Sequence, residues 1–243
     1  MWSGMHRLRC GQGLAAVLYS LYYQYRQRRY RQQAYNSPLQ ALYDAPVIPP
    51  SQLFKNTRFL VLDCEMSGLD PERCQLLSIG WVVIERGRII NSTAKHLLIH
   101  ADRGTGDSSM IHGLFDSNIA GANSIATVLM LLMQQVPGTV LVFHHASLDM
   151  RFLQKVAIEV FQCPLLFSYV DTMAIEKKRL HLQGKVAGIR LAQCRQRYGL
   201  ADSVQHNALA DAQATAELFL AQAGNIGKQD VLDLSDLSLS CSR

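Results

Sequence analysis

The sequence predicts an α/β domain with a mixed central sheet flanked by helices, preceded by an N-terminal helical extension. Strand-forming runs come first and helical and strand patterns alternate after them, which is the order typical of a mixed sheet. The hydrophobic content of 49% is ordinary for a chain with a substantial core. Three regions are expected: a basic helical arm with a proline-containing linker (1–52), the main domain (53–225) and an acidic, flexible tail (226–243).

The arm is basic and has the pattern of an amphipathic helix. Residues 1–35 contain six arginines and no acidic residue, which leaves 18 basic against 19 acidic side chains in the rest of the chain. The domain is therefore not a broadly basic surface that coats DNA. Such a helix could lie on an anionic membrane, contact nucleic acid, pack on a partner or pack on its own domain. The apolar positions at helical spacing are Leu14, Val17, Leu18, Leu21, Tyr22 and Tyr25.

Neither a secretory signal nor a membrane span is expected in the arm. Its apolar stretch is shorter than the roughly 20 residues that cross a bilayer, and no small-residue cleavage site follows it. The six cysteines form no CxxC pair, which argues against zinc-ribbon and redox sites and indicates free thiols in a reducing compartment. We expect a cytoplasmic protein, with peripheral membrane attachment through the arm as one option.

The elements of the domain follow in order. RFLVLDCEM is a run of strand-forming residues, QLLSIGWVVIERGRII predicts two strands that meet at the turn Glu85–Arg88, and NSTAKHLLI supplies a third. Three leading antiparallel strands are thus expected before helices and strands alternate. Later strands are predicted at VLVFHH and at the start of FSYVDTMAIEKKRL, which continues as a helix. Helices are predicted at SNIAGANSIATVLMLLMQQV, LDMRFLQKVAIEVF, RLAQCRQRYGL and NALADAQATAELFLAQA.

Carboxylates in three distant stretches are candidate metal ligands. Asp63 and Glu65 are two apart within a predicted strand, so both side chains project from the same face. Two carboxylates held side by side repel each other unless a cation lies between them. Alone, this D-x-E pattern is more typical of a solvated turn. Asp149 follows the strand VLVFHH at the start of a helix, where an aspartate is more often a cap than a ligand.

His206 and Asp211 complete the candidate set. Residues five apart on one helix lie about 140° apart, so these two would not share a helix face. We therefore expect His206 in the loop or first turn and Asp211 inside the helix. His144 and His145 are adjacent on a strand and point to opposite faces, so they cannot chelate one ion together. We interpret His144 as a residue that packs or that supports the site from behind its ligands, and His145 as a contact at the rim of the site.

Taken together, the ordered motifs resemble those of DEDDh-type 3′→5′ exonucleases of the ribonuclease H-like superfamily, which includes the proofreading epsilon subunit of bacterial DNA polymerase III, ribonuclease T and oligoribonuclease. The resemblance covers about residues 58–223 and is specific as a set, although each motif alone is weak. The motifs are VLDCEMSGLDPERCQLLSIGWVVI, IHGL, VFHHASLDMRFL, VDTMAI and HNALADAQATAELF.

The resemblance implies a ribonuclease H-like fold and a two-metal site. Its metal ligands would be Asp63, Glu65, Asp149 and Asp211, holding two Mg²⁺ or Mn²⁺ ions, and its general base would be His206. The reaction implied is hydrolysis of the terminal phosphodiester, which releases 5′-mononucleotides from a 3′ end. Substrate contacts would come from the turn Met66, Ser67 and Gly68, from His112 and Leu114, and from His145.

The implied partners are nucleic-acid 3′ ends, with DNA favoured, and a polymerase or other protein. Three functions stay open: a 3′→5′ exonuclease on single-stranded or frayed DNA, an exoribonuclease that trims short RNA, and a non-catalytic binding module that keeps the fold. Met66 after the glutamate resembles oligoribonuclease, whereas IHGL and HNALADA resemble the proofreading branch. His145 stands where asparagine is usual, and Leu148 where phenylalanine is common. All five catalytic positions are intact, which argues against the non-catalytic module.

Overall fold

The computed structural model describes residues 9–100, 123–203 and 207–242. Within these ranges one mixed sheet has six strands in the order β3-β2-β1-β4-β5-β6. The pairs β1–β2, β2–β3 and β5–β6 are antiparallel, and β1–β4 and β4–β5 are parallel. The predicted α/β class with a mixed sheet is confirmed. The strands are β1 Phe59–Met66, β2 Leu76–Glu85, β3 Arg88–Leu98, β4 Val140–Phe143, β5 Ser168–Asp171 and β6 Ser240–Cys241.

Helices cover both faces of the sheet, and two of them, α1 and α2, precede the first strand in the chain. The N-terminal helix was predicted and is present. None of the helices among the described residues is long and apolar enough to cross a membrane. The helices are α1 Arg9–Ala34, α2 Gln40–Asp44, α3 Ile125–Met133, α4 Ala146–Phe161, α5 Thr172–Leu182, α6 Leu191–Arg197 and α7 Ala208–Ile226, and a 3₁₀ turn spans Phe54–Asn56.

The three leading antiparallel strands are confirmed, with one correction. NSTAKHLLI is not a separate strand, because it continues β3 from Arg88 without a turn. The register jumps between Trp81, which pairs with Lys95, and Val83, which pairs with Ile90, so β3 bulges away from β2 at this point. The hydroxyl of Thr93 accepts a hydrogen bond from the Val83 amide at 3.0 Å and replaces the lost backbone partner. β3 is therefore one strand with a bulge near Thr93.

The alternation of β1 divides the core between the two faces of the sheet. Leu60 and Leu62 point towards the side covered by α3 and α4. Phe59 and Val61 point towards α7, where the rings of Phe59 and Phe219 pack edge to face at 5.0 Å. Each of these residues is completely buried. The same alternation continues into the second half of β1 and decides which face receives its acidic residues.

A crevice opens where β1 and β4 separate. β1 pairs with β4 only from Phe59 to Val61 and continues to Met66 paired with β2 on its other side, while β4 ends at Phe143. Beyond that point the first turn of α4 takes the place of the missing strand. Crevices at the carboxyl ends of parallel strands are common ligand sites in α/β sheets, because side chains from several elements meet there.

The N-terminal helix packs on its own domain, but not through the predicted apolar positions. Tyr23, Arg26 and Ala34 are buried against the domain, the hydroxyl of Tyr19 is hydrogen-bonded to that of Ser168, and Arg26 donates to the carbonyl of Ser242 at 3.4 Å. Tyrosine packs here because its hydroxyl finds a partner when its ring is covered. The stripe that begins at Leu14 lies on the opposite face and is exposed.

The tail also differs from expectation, because residues 228–242 are packed and not loose. Leu232, Leu234 and Leu237 are buried beside Phe219, and β6 extends the sheet beyond β5. The Ser242 hydroxyl accepts a hydrogen bond from the Phe167 amide at 3.0 Å. The acidic and serine-rich composition indicated disorder, but leucines at short spacing supply enough apolar surface to hold the segment.

Candidate active site

Two carboxylates stand on the second half of β1, as the D-x-E spacing predicts. Asp63 and Glu65 continue the face of Phe59 and Val61, so both point towards α7. Glu65 is buried and Asp63 is half-buried. Cys64 lies on the other face and belongs to the core there. A strand whose apolar face turns acidic over its last four residues is costly unless the charge is used.

Asp211 reaches the same place from α7. The helix begins at Ala208 with Asn207 as its N-cap, whose side chain accepts a hydrogen bond from the Ala210 amide at 3.1 Å. Asp211 is in the first helical turn, which confirms the prediction that it lies inside the helix. Ligand atoms of Asp63, Glu65 and Asp211 all lie within 4.8 Å of one another. The structure thus brings together three of the four carboxylates named from the sequence.

Gly80 allows this close approach, and the sequence analysis did not identify it. It pairs with Asp63 across β1 and β2. A Cβ atom at Gly80 would lie 2.2 Å from the backbone nitrogen of Leu209 and 2.3 Å from the carbonyl carbon of Ala208. Only glycine therefore lets the first turn of α7 rest on the sheet. The one available signal was a glycine inside an otherwise apolar strand.

Asp149 completes the acidic group from α4. It is buried, and its Oδ1 accepts a hydrogen bond from the Cys64 amide at 3.1 Å, at the part of β1 that has no partner on β4. It does not cap its helix, because the N-cap position belongs to His145. The charge of Asp149 is among the causes that raise the pKa of Asp63, which places the two carboxylates within electrostatic reach.

Asp171 holds α4 in position and was not predicted. Its carboxylate accepts hydrogen bonds from the amides of His145 at 3.1 Å and Ala146 at 3.2 Å, and it caps α5 through the Met173 amide at 2.9 Å. One side chain therefore fixes the first turn of α4, which carries Asp149. The signal available in the sequence was the aspartate at a strand-to-helix junction in VDTMAI.

Burial and mutual repulsion keep protons on the acidic group. Burial, followed by the charges of Asp211 and Asp149, raises the pKa of Glu65 to about 8. Burial also raises the pKa of Asp149 to about 7, although hydrogen bonds from its own amide and that of Cys64 oppose the shift. The pKa of Asp63 is raised well above its ordinary value, first by burial and then by the charges of Asp149, Asp211 and Glu65. A divalent cation would remove this cost, since it favours the ionised carboxylates.

The acidic group opens into a cavity of about 540 Å³. Asp63 and Asp211 line one side, and Arg190 and Gln193 from the start of α6 line another. Arg190 is exposed, which leaves its guanidinium accessible to a ligand. A cationic side chain across a cavity from several carboxylates suits a substrate that is itself anionic and is accompanied by cations.

Two ion pairs, each with one buried partner, hold α6 against its neighbours. Arg197 donates to Glu176 of α5 at 2.7 Å, and the Glu176 side chain is completely buried. Arg195 donates to Glu217 of α7 at 2.7 Å and to the carbonyl of Ala214 at 2.6 Å. The wall of the cavity that carries Arg190 is thereby fixed to the helix that carries Asp211.

The two adjacent histidines have different surroundings. The ring of His144 contacts the hydroxyl of Thr172 at 2.8 Å and the carbonyl of Ile189 at 3.0 Å, and burial lowers its pKa. It ties β4 to the loop before α6, which agrees with the predicted packing role. His145 is exposed at the mouth of the crevice with a φ of 80°. Asparagine and histidine are enriched in this left-handed conformation, which explains why either can occupy the position.

The turn after β1 is held tightly. The amide of Ser67 donates to the Gln75 carbonyl at 2.9 Å, and its hydroxyl accepts from the Gln75 amide at 2.9 Å. A Cβ atom at Gly68 would lie 2.6 Å from the Sγ of Cys74. Met66 is buried. Any contact of this turn with a substrate would use groups other than the Ser67 amide.

Three predicted site residues, His206, His112 and Leu114, lie outside the described residues. Of the neighbours of His206, Ser203 lines the cavity and Asn207 caps α7. The cysteines described in full, at positions 64, 74, 163, 194 and 241, are free thiols as expected. Chemically, the described site offers clustered hard oxygen ligands, which Mg²⁺, Mn²⁺ and Ca²⁺ prefer, and no cysteine or histidine belongs to the described cluster.

Comparison with known proteins gives this geometry a context. Residues 60–219 match the ribonuclease T family model, which is described as exonuclease. The match begins in β1, ends in α7 and includes all four carboxylates. The structure also resembles Escherichia coli exonuclease I, solved in a zinc-bound complex with single-stranded DNA, with a TM-score of 0.61 at 15% identity over 70% of this chain and 41% of that chain. That likeness supports the fold.

Two relatives with similar sequences are named as DNA polymerase III proteins. The chain is 32% identical over 185 residues to the PolC-type DNA polymerase III of Thermotoga petrophila, covering 76% of this chain and 13% of that protein. It is 28% identical over 177 residues to the DNA polymerase III subunit epsilon of Treponema pallidum, covering 72% of this chain and 81% of the subunit. The chain thus spans about an eighth of the PolC-type protein and most of the epsilon subunit.

Proposed function

The chain belongs to the exonuclease family, and from this premise we propose that it is a metal-dependent 3′→5′ exonuclease that removes 5′-mononucleotides from single-stranded or frayed DNA ends. The observation that carries the proposal is the convergence of Asp63, Glu65 and Asp211 within 4.8 Å, with Asp149 beside them. Four carboxylates lie together, and the pKa values of Asp63, Glu65 and Asp149 are raised, so the arrangement costs free energy that a bound cation would offset. The matching family model is described as exonuclease, and the relatives are named DNA polymerase III. Both descriptions favour DNA as the substrate.

The carboxylates would hold two divalent cations, Mg²⁺ or Mn²⁺. Asp63 and Asp211 line the cavity, Glu65 and Asp149 are buried behind them, and all four side chains would hold the cations at this end of the cavity. When bound, a pair of such ions stabilises the attacking and leaving oxygens of an in-line displacement. The hydrogen bond from the Cys64 amide fixes one oxygen of Asp149 and so orients the other. The ligands are held by one strand, β1, and by the first turns of two helices, α4 and α7, which limits their motion.

His206 would accept the proton of the attacking water. It comes just before the N-cap of α7 in sequence, five residues ahead of Asp211. An imidazole has an unperturbed pKa near 6.5, which suits a base at neutral pH. His206→Ala should lower turnover and flatten the rise of rate between about pH 6 and 8. An unchanged pH–rate profile would remove His206 from this role.

Arg190 would bind a phosphate of the strand that leads to the site. Its position across the cavity from Asp63 and Asp211 places a cation where the anionic backbone must enter. Arg190→Ala should raise KM about tenfold with a smaller change in kcat, because a phosphate contact contributes binding more than chemistry. Arg190→Lys should recover part of the loss. Unaltered KM in the alanine variant would exclude the contact.

The test of the function is a digestion of matched DNA and RNA oligonucleotides labelled at the 5′ end. With Mg²⁺ or Mn²⁺ we expect a ladder of products shortened from the 3′ end, faster on DNA, and no products in EDTA. Asp211→Asn is the matched inactive control. Faster loss of RNA would move the assignment to an exoribonuclease, the alternative that Met66 favours. No cleavage of either polymer would overturn the enzyme and support a binding module.

The same premise extends to location and partners. We propose that the chain works in the cytoplasm on nucleic-acid 3′ ends, in association with a polymerase. The relatives named DNA polymerase III support the association, and the free thiols support a reducing compartment. The division into an arm (1–52), an exonuclease domain (53–225) and a tail (226–243) is part of the proposal, with the tail packed on the domain as described.

A further inference from the structure

Helix α1 has two opposite apolar faces, and only one is covered. Tyr23, Arg26 and Ala34 are buried against the domain. The other face carries a continuous set of exposed apolar residues at helical spacing, which we call the outer stripe. Its members and their exposed fractions are Leu14 67%, Val17 54%, Leu18 57%, Leu21 58%, Tyr22 41% and Tyr25 56%. An apolar surface of this continuity on one helix marks a binding surface.

The outer stripe is bordered by positive charge. Arg28 and Arg29 are exposed three and four residues after Tyr25, so they continue the same side of the helix. Arg7 and Arg9 precede the stripe in the sequence. The helix contains no acidic residue, and Arg31 at its last turn is already paired with Asp44 at 2.8 Å. Among the described side chains, the stripe is therefore apolar along its length and basic beyond Tyr25.

This pattern separates the possible occupants. Nucleic acid offers phosphates to the arginines but nothing to four exposed aliphatic side chains. A second copy of the helix would cover the aliphatic residues but would leave Arg28 and Arg29 without an anionic partner, because α1 contains no acidic residue. An anionic bilayer satisfies every feature: the aliphatic residues enter the acyl boundary, tyrosines lie at the headgroup level, and arginines meet lipid phosphates.

We propose that α1 attaches the protein to an anionic lipid surface through the outer stripe. The attachment leaves the active site open. On its inner face α1 contacts Ser168, the first residue of β5, and β6 beyond it. The carboxylates lie past the opposite ends of the parallel strands, where β4 ends at Phe143. This inference does not depend on the proposed nuclease activity.

The test is flotation of the full chain with lipid vesicles at low and at high salt. One vesicle preparation is pure phosphatidylcholine, and the other is an equal mixture of phosphatidylcholine and phosphatidylglycerol. We expect binding to the anionic vesicles, weakened by salt, and little binding to the neutral ones. Leu18→Glu with Leu21→Glu should lower the bound fraction at least tenfold. Leu182→Glu, which adds one charge at a residue 67% exposed on α5, is the control and should bind as the wild type.

The circular dichroism spectrum and the melting temperature serve as measures of folding in all variants. Equal binding to both kinds of vesicle, no binding at all, or full binding by the double variant would each overturn the proposal. Size-exclusion chromatography with light scattering tests whether the outer stripe instead binds a second copy of the chain. A wild-type dimer that becomes a monomer in the double variant would assign the outer stripe to a second copy and would overturn the lipid assignment.

Discussion

The two halves of β1 follow one another in a single strand but have opposite effects on the stability of the fold. Phe59 and Val61 are completely buried and pack against α7, so they stabilise the fold. Asp63 and Glu65 occupy the next two positions on the same face, and their raised pKa values show that ionising them in place costs free energy. The comparison shows that one face of one strand contributes apolar residues to the core and carboxylates to the candidate active site.

The largest effect is expected when the acidic half is neutralised. Asp63→Asn keeps the shape of the side chain but removes a charge and a metal ligand. We expect at least a thousandfold loss of turnover, together with a higher melting temperature in EDTA, because one source of repulsion is gone. Oligonucleotide digestion and thermal melting check the two parts. A variant that loses activity and also becomes less stable without metal would contradict the account of stored repulsion.

Gly80→Ala should disturb the contact between β2 and the first turn of α7, beside Asp63. The added Cβ would collide with the backbone of Leu209, so the first turn of α7 must lift and carry Asp211 away from Asp63. We expect about a hundredfold loss of kcat, since small misplacements of a catalytic group are costly. Gly224→Ala is the matched control, because a Cβ there meets nothing within 4 Å. Equal activity of the two variants would show that the close approach at Gly80 does not position the site.

Val61→Ala tests the apolar half by itself. Removing two buried methyl groups should lower the free energy of unfolding by about 2 kcal/mol, from the lost transfer free energy and the cavity left behind. Activity at a temperature where the variant is folded should change less than threefold. Chemical denaturation and steady-state kinetics measure the two quantities. Activity that falls as far as in Asp63→Asn would mean that the halves of β1 are not separable.

The smallest effect is the dependence of stability on pH without metal. The pKa of Glu65 is about 8 in the folded chain against an ordinary 4.5, and that of Asp149 is about 7 against 3.8. The folded state therefore binds more protons than the unfolded state between about pH 4 and 8, so stability falls as pH rises through this window. Melting in EDTA should show a decline of a few degrees, which Mn²⁺ should reverse most strongly at pH 8. A melting temperature that rises with pH in EDTA would contradict the shifts.

Local patterns predicted the parts of the site that depend on one element. The two-residue spacing of Asp63 and Glu65 fixed their common face, and the helical pattern that follows His206 placed Asp211 inside a helix. The class of fold followed from the order of strand and helix patterns. None of these inferences requires knowledge of what lies across the molecule.

Features that depend on distant contacts could not be predicted in the same way. The need for Gly80 arises from a helix that begins more than 120 residues later, and the role of Asp171 arises from the amides of another helix. The tail was expected to be flexible, yet Leu234 and Ser242 are buried against strands far earlier in the chain. In α1 the apolar stripe was visible, but the face that packs on the domain carries Tyr19, whose hydroxyl is hydrogen-bonded to that of Ser168, far away in the sequence.

The central claim is tested most directly by anomalous diffraction from crystals soaked in Mn²⁺. The account predicts two peaks about 3.5–4 Å apart, coordinated by oxygens of Asp63, Glu65, Asp149 and Asp211 at the edge of the cavity that Arg190 lines. A crystal with no peak among these four carboxylates, or with manganese bound elsewhere on the domain, would contradict it.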